Sequence, residues 1–206
     1  MKITNYILLS LMIITFTSCK NLAKKAANAA SAASSLGKGF DKDLSNQETY
    51  NTTFSELKKS LDGGTKINQI IYNSSQDYGT MFEADVQSKA NPKTIVRYAN
   101  SFTSKTITGP AAVEISYAGN AEEFKIEDFL FDINDIAVDK LGTLVKEAIA
   151  KTAEKCDDVI VSQLRIELNS HGTPEINIYT EGKLKSNAIK ENFTYKTDLK
   201  GKFISF

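Results

Sequence analysis

From residue 53 onward, apolar positions switch between a period near 3.6 and a period of two, which predicts helices interleaved with strands. Thr53-Phe54-Ser55-Glu56 has the form of a capping box, so a helix is predicted to start at Thr53. Phe54, Leu57 and Leu61 give it an apolar face, and Asp62-Gly63-Gly64 stops it. Lys66–Asn73, with Ile67, Ile70, Ile71 and Tyr72, fits a strand and also one helical face, and is read as a strand. In Thr80–Ser88, Phe82, Ala84 and Val86 alternate with Glu83, Asp85 and Gln87, the signature of a half-buried strand. Asn91-Pro92 has the form of an N-cap followed by proline at the first helical position. Ile95, Val96, Ala99 and Phe102 follow at helical spacing, so Pro92–Ser104 is predicted to be a second helix.

Gly109-Pro110 punctuates the chain, and Ala112–Tyr117 and Phe124–Asp132 read as strands around a turn at 118–123. The run Phe129-Leu130-Phe131 predicts burial on both faces. Ile136–Lys155, capped by Asn134 or Asp135, is the best-defined helix: Leu141, Leu144, Val145, Ala148, Ile149 and Thr152 share one face. Val159–Leu168 and Glu175–Thr180 alternate as strands around the turn Asn169–Pro174, and Phe193, Tyr195, Thr197 and Leu199 mark a third. The predicted fold is therefore α+β, with antiparallel sheets packed by one long helix and one or two shorter ones, in the order α-ββ-α-ββ-α-βββ. Residues 53–206 form one such domain, or two small lobes each made of a helix followed by strands.

The first twenty residues follow another rule. Lys2 is followed by an apolar run over Tyr6–Phe16, then by Phe16-Thr17-Ser18-Cys19 with two small residues before the cysteine. This is the layout of a secretory signal, and the run is shorter than the ~20 apolar residues needed to span a bilayer. The segment resembles the signal of bacterial lipoproteins, whose lipobox ends in the cysteine that becomes the acylated first residue. Phe16 and Ser18 depart from the commonest lipobox, which has Leu three places before the cysteine and Gly or Ala directly before it. The resemblance implies cleavage of residues 1–18, diacylglyceryl attachment at Cys19 and anchoring to membrane lipid in the bacterial cell envelope. Two or more acyl chains suffice for stable anchoring at about 0.8 kcal/mol per buried CH₂. Lys20 stands where an Asp would, in some bacteria, signal inner-membrane retention, which favours the outer membrane.

Between anchor and domain, residues 19–52 read as a tether. Its first half is rich in Ala, Ser and Lys, with nothing large to bury, and Gly37 and Gly39 end that half. Cleavage before Cys19 leaves 188 residues and a side-chain charge of −1, which gives no electrostatic footprint for nucleic acid. Acylation of Cys19 leaves Cys156 without an intramolecular disulfide partner.

Candidate chemistry is sparse. His171, the only histidine, lies in a turn-forming stretch, and Cys156 is predicted at a helix end beside Asp157 and Asp158, where a thiolate is disfavoured. A Cys156–His171 hydrolase is the enzymatic alternative, and it requires the two side chains to converge. The acidic stretch Glu122–Asp139 matches only the first two ligand positions of a calcium loop, at Asp132-Ile133-Asn134-Asp135, and lacks its glycine. No catalytic, cofactor or metal residues are therefore assigned, and no cofactor is expected. The leading reading is a non-enzymatic binding or accessory module with an envelope protein partner, presenting a sheet face or edge. A carrier of an apolar ligand is the other alternative, with a pocket lined by residues such as Phe129, Phe131 and Ile149.

Overall fold

The computed structural model describes residues 44–75, 79–100, 106–115 and 122–206. Cys19, the signal-like segment and the tether as far as residue 43 lie outside these, as do residues 101–104 and 116–117 of two predicted elements.

Helix α1 spans Gln47–Ser60 and is followed by the strands β1 (Lys66–Ser75), β2 (Gly79–Gln87), β3 (Ile95–Ala99) and β4 (Thr108–Val113). After short 3-10 turns and the two-residue strand β5 (Phe131–Asp132) comes helix α2 (Leu141–Lys155). Strands β6 (Cys156–Leu168), β7 (Pro174–Leu184), β8 (Lys190–Asp198) and β9 (Phe203–Ser205) complete the chain. All nine strands belong to one antiparallel sheet of order β4-β3-β2-β1-β6-β7-β8-β9, with β5 beside the start of β1. The predicted α+β order α-ββ-α-ββ-α-βββ is thus corrected to a sheet-rich fold with two α-helices among the described residues. The order is palindromic about the β1–β6 seam. On each side a helix leads into a central strand, and a meander then runs outward.

One face of the sheet forms the core. Ile70 and Tyr72 of β1, Phe82, Ala84 and Val86 of β2, Leu164 and Ile166 of β6, Ile176 and Ile178 of β7 and Tyr195 of β8 are all buried in a single cluster. The helices contribute Tyr50, Phe54 and Leu57 from α1, and Leu141, Leu144, Val145 and Ala148 from α2, to the same cluster. The Tyr72 ring packs edge-on to Tyr50 and tilted to Phe82, each at 5.0 Å between centroids. Its hydroxyl is satisfied by Thr53.

Several predicted boundaries move, among them that of the strand predicted over Ala112–Tyr117, since β4 runs Thr108–Val113 and takes in Gly109-Pro110. Helix α1 begins at Gln47, not Thr53, because the Asn46 side chain accepts from the Glu48 N–H and caps it. Thr53 lies inside the helix, its hydroxyl bonded back to the Thr49 carbonyl. The end of the predicted tether is therefore domain, with Leu44 in the core and its carbonyl accepting from the Tyr50 hydroxyl at 2.6 Å. The helix predicted over Pro92–Ser104 is instead strand β3. Asn91 closes a turn by accepting the Thr94 N–H, and Ile95, Val96 and Tyr98 then pair with Gln87, Val86 and Ala84. Ile95 and Val96 are β-branched, and the open edge of β2 outweighed a spacing that fits either period.

The strand predicted over Phe124–Asp132 shrinks to Phe131–Asp132, after a 3-10 turn at Ile126–Phe129. From Gln69 onward that edge of β1 belongs to β6, so only Lys66 and Ile67 are left for β5 to pair. Phe129, predicted to be buried on both faces, is 39% exposed. Helix α2 begins at Leu141, not Ile136, because Ile133 and Ile136 are drawn into the core and Asp132, not Asn134 or Asp135, caps the intervening turn. The N-terminus of α2 is served from the other helix. The Gly142 N–H donates to Gln47 Oε1 at 2.9 Å, while Gln47 Nε2 donates to the Val138 carbonyl at 2.7 Å. Among the described residues, no helix is long and apolar enough to cross a membrane.

A Cβ at position 142 would lie 2.9 Å from both the Gln47 backbone nitrogen and the Ser45 carbonyl oxygen. Gly142→Ala is therefore expected to cost about 1–3 kcal/mol in urea unfolding, and Gln47→Ala about 1 kcal/mol through the lost cap.

Burial, reinforced by the Glu147 carboxylate 2.8 Å from its hydroxyl, pushes the Tyr195 phenol up from 10.0 to about 12. Burial raises Tyr72 as well. Between pH 10 and 12 the unfolded chain ionises first and binds fewer protons, so the stability these phenols supply is intact below pH 10 and is lost as pH rises towards 12. Tyr195→Phe should flatten that alkaline decline, as measured by urea midpoints from pH 9 to 12.

Candidate functional site

The face of the sheet opposite the helices carries the other half of each alternation. Two cross-strand rows define its centre. One runs Arg97, Asp85, Gln69, Glu167 and Glu175 across β3, β2, β1, β6 and β7. The next runs Glu83, Ile71, Arg165, Asn177 and Lys196 across β2, β1, β6, β7 and β8. A third, without charge, places Asn73, Gln163, Tyr179 and Thr194 side by side.

Most charge on this face is compensated within it. Arg97 binds Asp85 through two nitrogens, at 2.6 and 2.8 Å, and reaches Glu83 at 3.1 Å. Gln69 donates to the same Asp85 at 2.7 Å, so a carboxylate on a residue only 3% exposed is fully engaged. Lys190 pairs with Glu181 at 2.7 Å, and Lys196 approaches Glu175 at 3.9 Å. Two buried polar atoms without a hydrogen bond sit in the middle row. Asn177 is only 6% exposed, and its Oδ1 has no hydrogen-bond partner. Directly across the β6–β7 ladder, the buried Nε of Arg165 is likewise unpartnered, with Glu167 at 3.6 Å, beyond hydrogen-bond range.

Two open clefts flank that row along β6. Asn73, Ser162, Gln163, Tyr179 and Asn192 line one of about 420 Å³. Gln69, Glu167, Asn169, Asp128 and Phe129 line another of about 390 Å³. From Ser162 to Asn169 this strip is on the order of 20 Å long, at ~3.3 Å per residue.

The residues singled out from sequence are not brought together. Cys156 stands at the predicted helix end, as the C-cap of α2, but opens β6 there instead of a turn, 2% exposed and paired with Leu184. His171 lies beyond the far end of the same strand, in the turn held by Asn169, whose Oδ1 accepts from the His171 and Thr173 N–H groups. Twelve residue steps along β6 put the two on the order of 35 Å apart. Asp132 caps a turn through the Asn134 N–H and also accepts from Thr65 Oγ1 at 2.9 Å. Asn134 accepts from Lys58, and Asp135 faces Lys200. Among the described residues, no group of three or more His, Cys, Asp or Glu side chains is placed to hold a metal ion. Phe131 is buried in the core and Ile149 packs against it, while Phe129 stacks on Phe124 at the surface, so the three residues named for an apolar pocket do not line one chamber.

Asn177, Tyr179 and Arg165 carried no sequence motif. Their signal was their place opposite Ile176, Ile178, Leu164 and Ile166 in the alternation, which says that they face away from the core but not what they meet there. Comparison with protein-family models, curated proteins and solved structures finds no match for this chain.

Because Asp85 is buried beneath Arg97, Arg97→Leu should cost about 2–3 kcal/mol by stranding the carboxylate. Adding Asp85→Leu should recover most of that loss in a double-mutant cycle followed by urea unfolding.

Proposed function

We propose that the chain is a lipid-anchored lipoprotein of the bacterial envelope that works as a non-enzymatic binding module, with the open face of the sheet as its contact surface. The observation that carries the reading is Phe16-Thr17-Ser18-Cys19 at the end of an eleven-residue apolar run that begins after a single lysine. Acyl chains on the Cys19 sulfur hold the protein at the membrane, and Lys20 favours the outer membrane over the inner. The separation of Cys156 from His171 favours binding over Cys–His hydrolysis, since a nucleophile and its base must lie within hydrogen-bond reach. A sheet covered by helices on one face and ordered by cross-strand pairs on the other supports recognition through that second face. The partner is an envelope component.

Mass spectrometry of the mature protein from a bacterial host should find an N-terminal diacylglyceryl-Cys19. Cys19→Ser should abolish that mass and move the protein from the detergent phase to the aqueous phase in Triton X-114 partitioning. An unmodified Cys19, or a serine variant that still matures and partitions with lipid, would overturn the anchor.

A further inference from the structure

We infer that the aromatic and lysine patch where the end of α2 meets β8 and β9 is a docking surface for an anionic phospholipid bilayer, against which the folded body lies. The inference rests on the lipid-anchor reading and adds a second contact with the same membrane. Four rings form one run on the helix side of the outer strands. Phe193 stacks on Phe206 at 5.5 Å between centroids, and Tyr195 meets Phe203 at 5.3 Å and Phe206 at 6.4 Å. Tyr195 belongs to the core, Phe193 and Phe206 are partly buried, and Phe203 and Ile204 of β9 are 46% and 48% exposed. The Lys151 ammonium lies 5.2 Å from the centre of the Phe203 ring, and that of Lys155 lies 5.5 and 5.0 Å from those of Phe193 and Phe206. Neither lysine forms an ion pair among the described residues.

Rings with ammonium groups at their margin match the boundary of a bilayer, where acyl chains receive the rings and phosphates receive the charge. Lysine stems lie along apolar surface while their heads reach for the polar layer, so Lys151 and Lys155 can lift from the rings to the phosphates without leaving the patch. The surrounding charge favours an anionic surface. Lys185, on the Ala153 carbonyl at 2.6 Å, and Lys202, next to Phe203, add to the two lysines over the rings. Of the neighbouring carboxylates, Glu147 is engaged by the Tyr195 hydroxyl and Asp198 by the N–H groups of Lys200 and Lys202, which leaves Glu154 and Glu191 against four lysines. A second copy fits less well, because a two-fold contact through this patch would bring each copy's Lys151 and Lys155 towards the other's. The course of the chain fits a membrane as well. Ser45 and Gln47 lie against Gly142, nine residues before Lys151 and so about 14 Å along α2 from it. Residues 20–43 separate Cys19 from Leu44, and a chain of that length can span several times this distance. Docked through the helix side, the body turns the open face of its sheet away from the lipid.

The chain contains no tryptophan, so one introduced indole reports the contact. The acylated protein carrying Phe203→Trp, or Tyr179→Trp on the open face, is reconstituted into vesicles of phosphatidylethanolamine and phosphatidylglycerol with acyl chains brominated near the headgroup. Flotation scores anchoring, and bromine quenching of the indole scores docking. The Phe203→Trp indole should be quenched at least about twofold more than that of Tyr179→Trp, as for a ring buried ~5–10 Å into the boundary. Adding Lys151→Glu and Lys155→Glu, or replacing phosphatidylglycerol by phosphatidylcholine, should remove about half of that quenching or more. The lipid exchange stands alone if the charge reversals do not fold, as judged by circular dichroism. Protein that floats with both indoles quenched equally, or with neither quenched, overturns the docking surface and leaves the anchor standing. Quenching of the Phe203→Trp indole insensitive to headgroup charge overturns it too, as does a lipid-free blue shift that grows with protein concentration, which would assign the patch to a second copy. A chain found unacylated, but whose Phe203→Trp indole is quenched when vesicles are added, overturns the anchor and supports the patch. Neither acylation nor quenching overturns both.

Discussion

The fold depends on the pairing of β1 with β6. These strands run antiparallel through five consecutive pairs, from Gln69↔Glu167 to Asn73↔Gln163, and among the described residues they are the strand pair that joins the two meanders of the sheet. On one side of this seam Ile70 and Tyr72 meet Ile166 and Leu164 under the helices. On the other, Ile71 meets Arg165 and Asn73 meets Gln163. A slip of one residue would exchange the two sets, pushing charge into the core and isoleucine into water, so register and core composition enforce each other.

The two faces are held by different physics. The inner one gains from apolar burial, with side chains from six strands and both helices in one cluster. The outer one is an ion-pair lattice in which Arg97 satisfies two carboxylates and Lys190 a third. Pairs with an exposed partner, such as Lys190–Glu181, contribute little stability each. Their effect is to fix side-chain positions, which is what a recognition surface requires. Arg165 Nε and Asn177 Oδ1 stand out because neither makes a hydrogen bond, although Arg165 is ion-paired with Glu167.

Much of this architecture was legible in the chain. Period-two alternation located β2, β6, β7 and β8, and the 3.6 period of Leu141, Leu144, Val145, Ala148 and Thr152 located the buried face of α2. Connections between distant residues were not legible. Nothing in Pro92–Ser104 reveals that the edge of β2 awaits a partner, and nothing near Gly142 reveals that Gln47, ninety-five positions earlier, accepts its N–H. The site was half visible: the outward positions could be read, but the isolation of Asn177 Oδ1 and Arg165 Nε depends on neighbours from other strands. The separation of Cys156 from His171 follows from β6 being thirteen residues long, whereas the alternation suggested a strand starting only at Val159.

The ends of the sheet bear on crowding. The outermost strands are β4, which contains Pro110 with no N–H to offer a newcomer, and β9, only three residues long. Both are poor templates for strand addition. Under the proposed anchor, molecules confined to two dimensions would meet one another far more often than molecules free in solution, and an inviting border would turn such a film into aggregates. Blunt borders leave the broad face as the surface through which neighbours can be engaged.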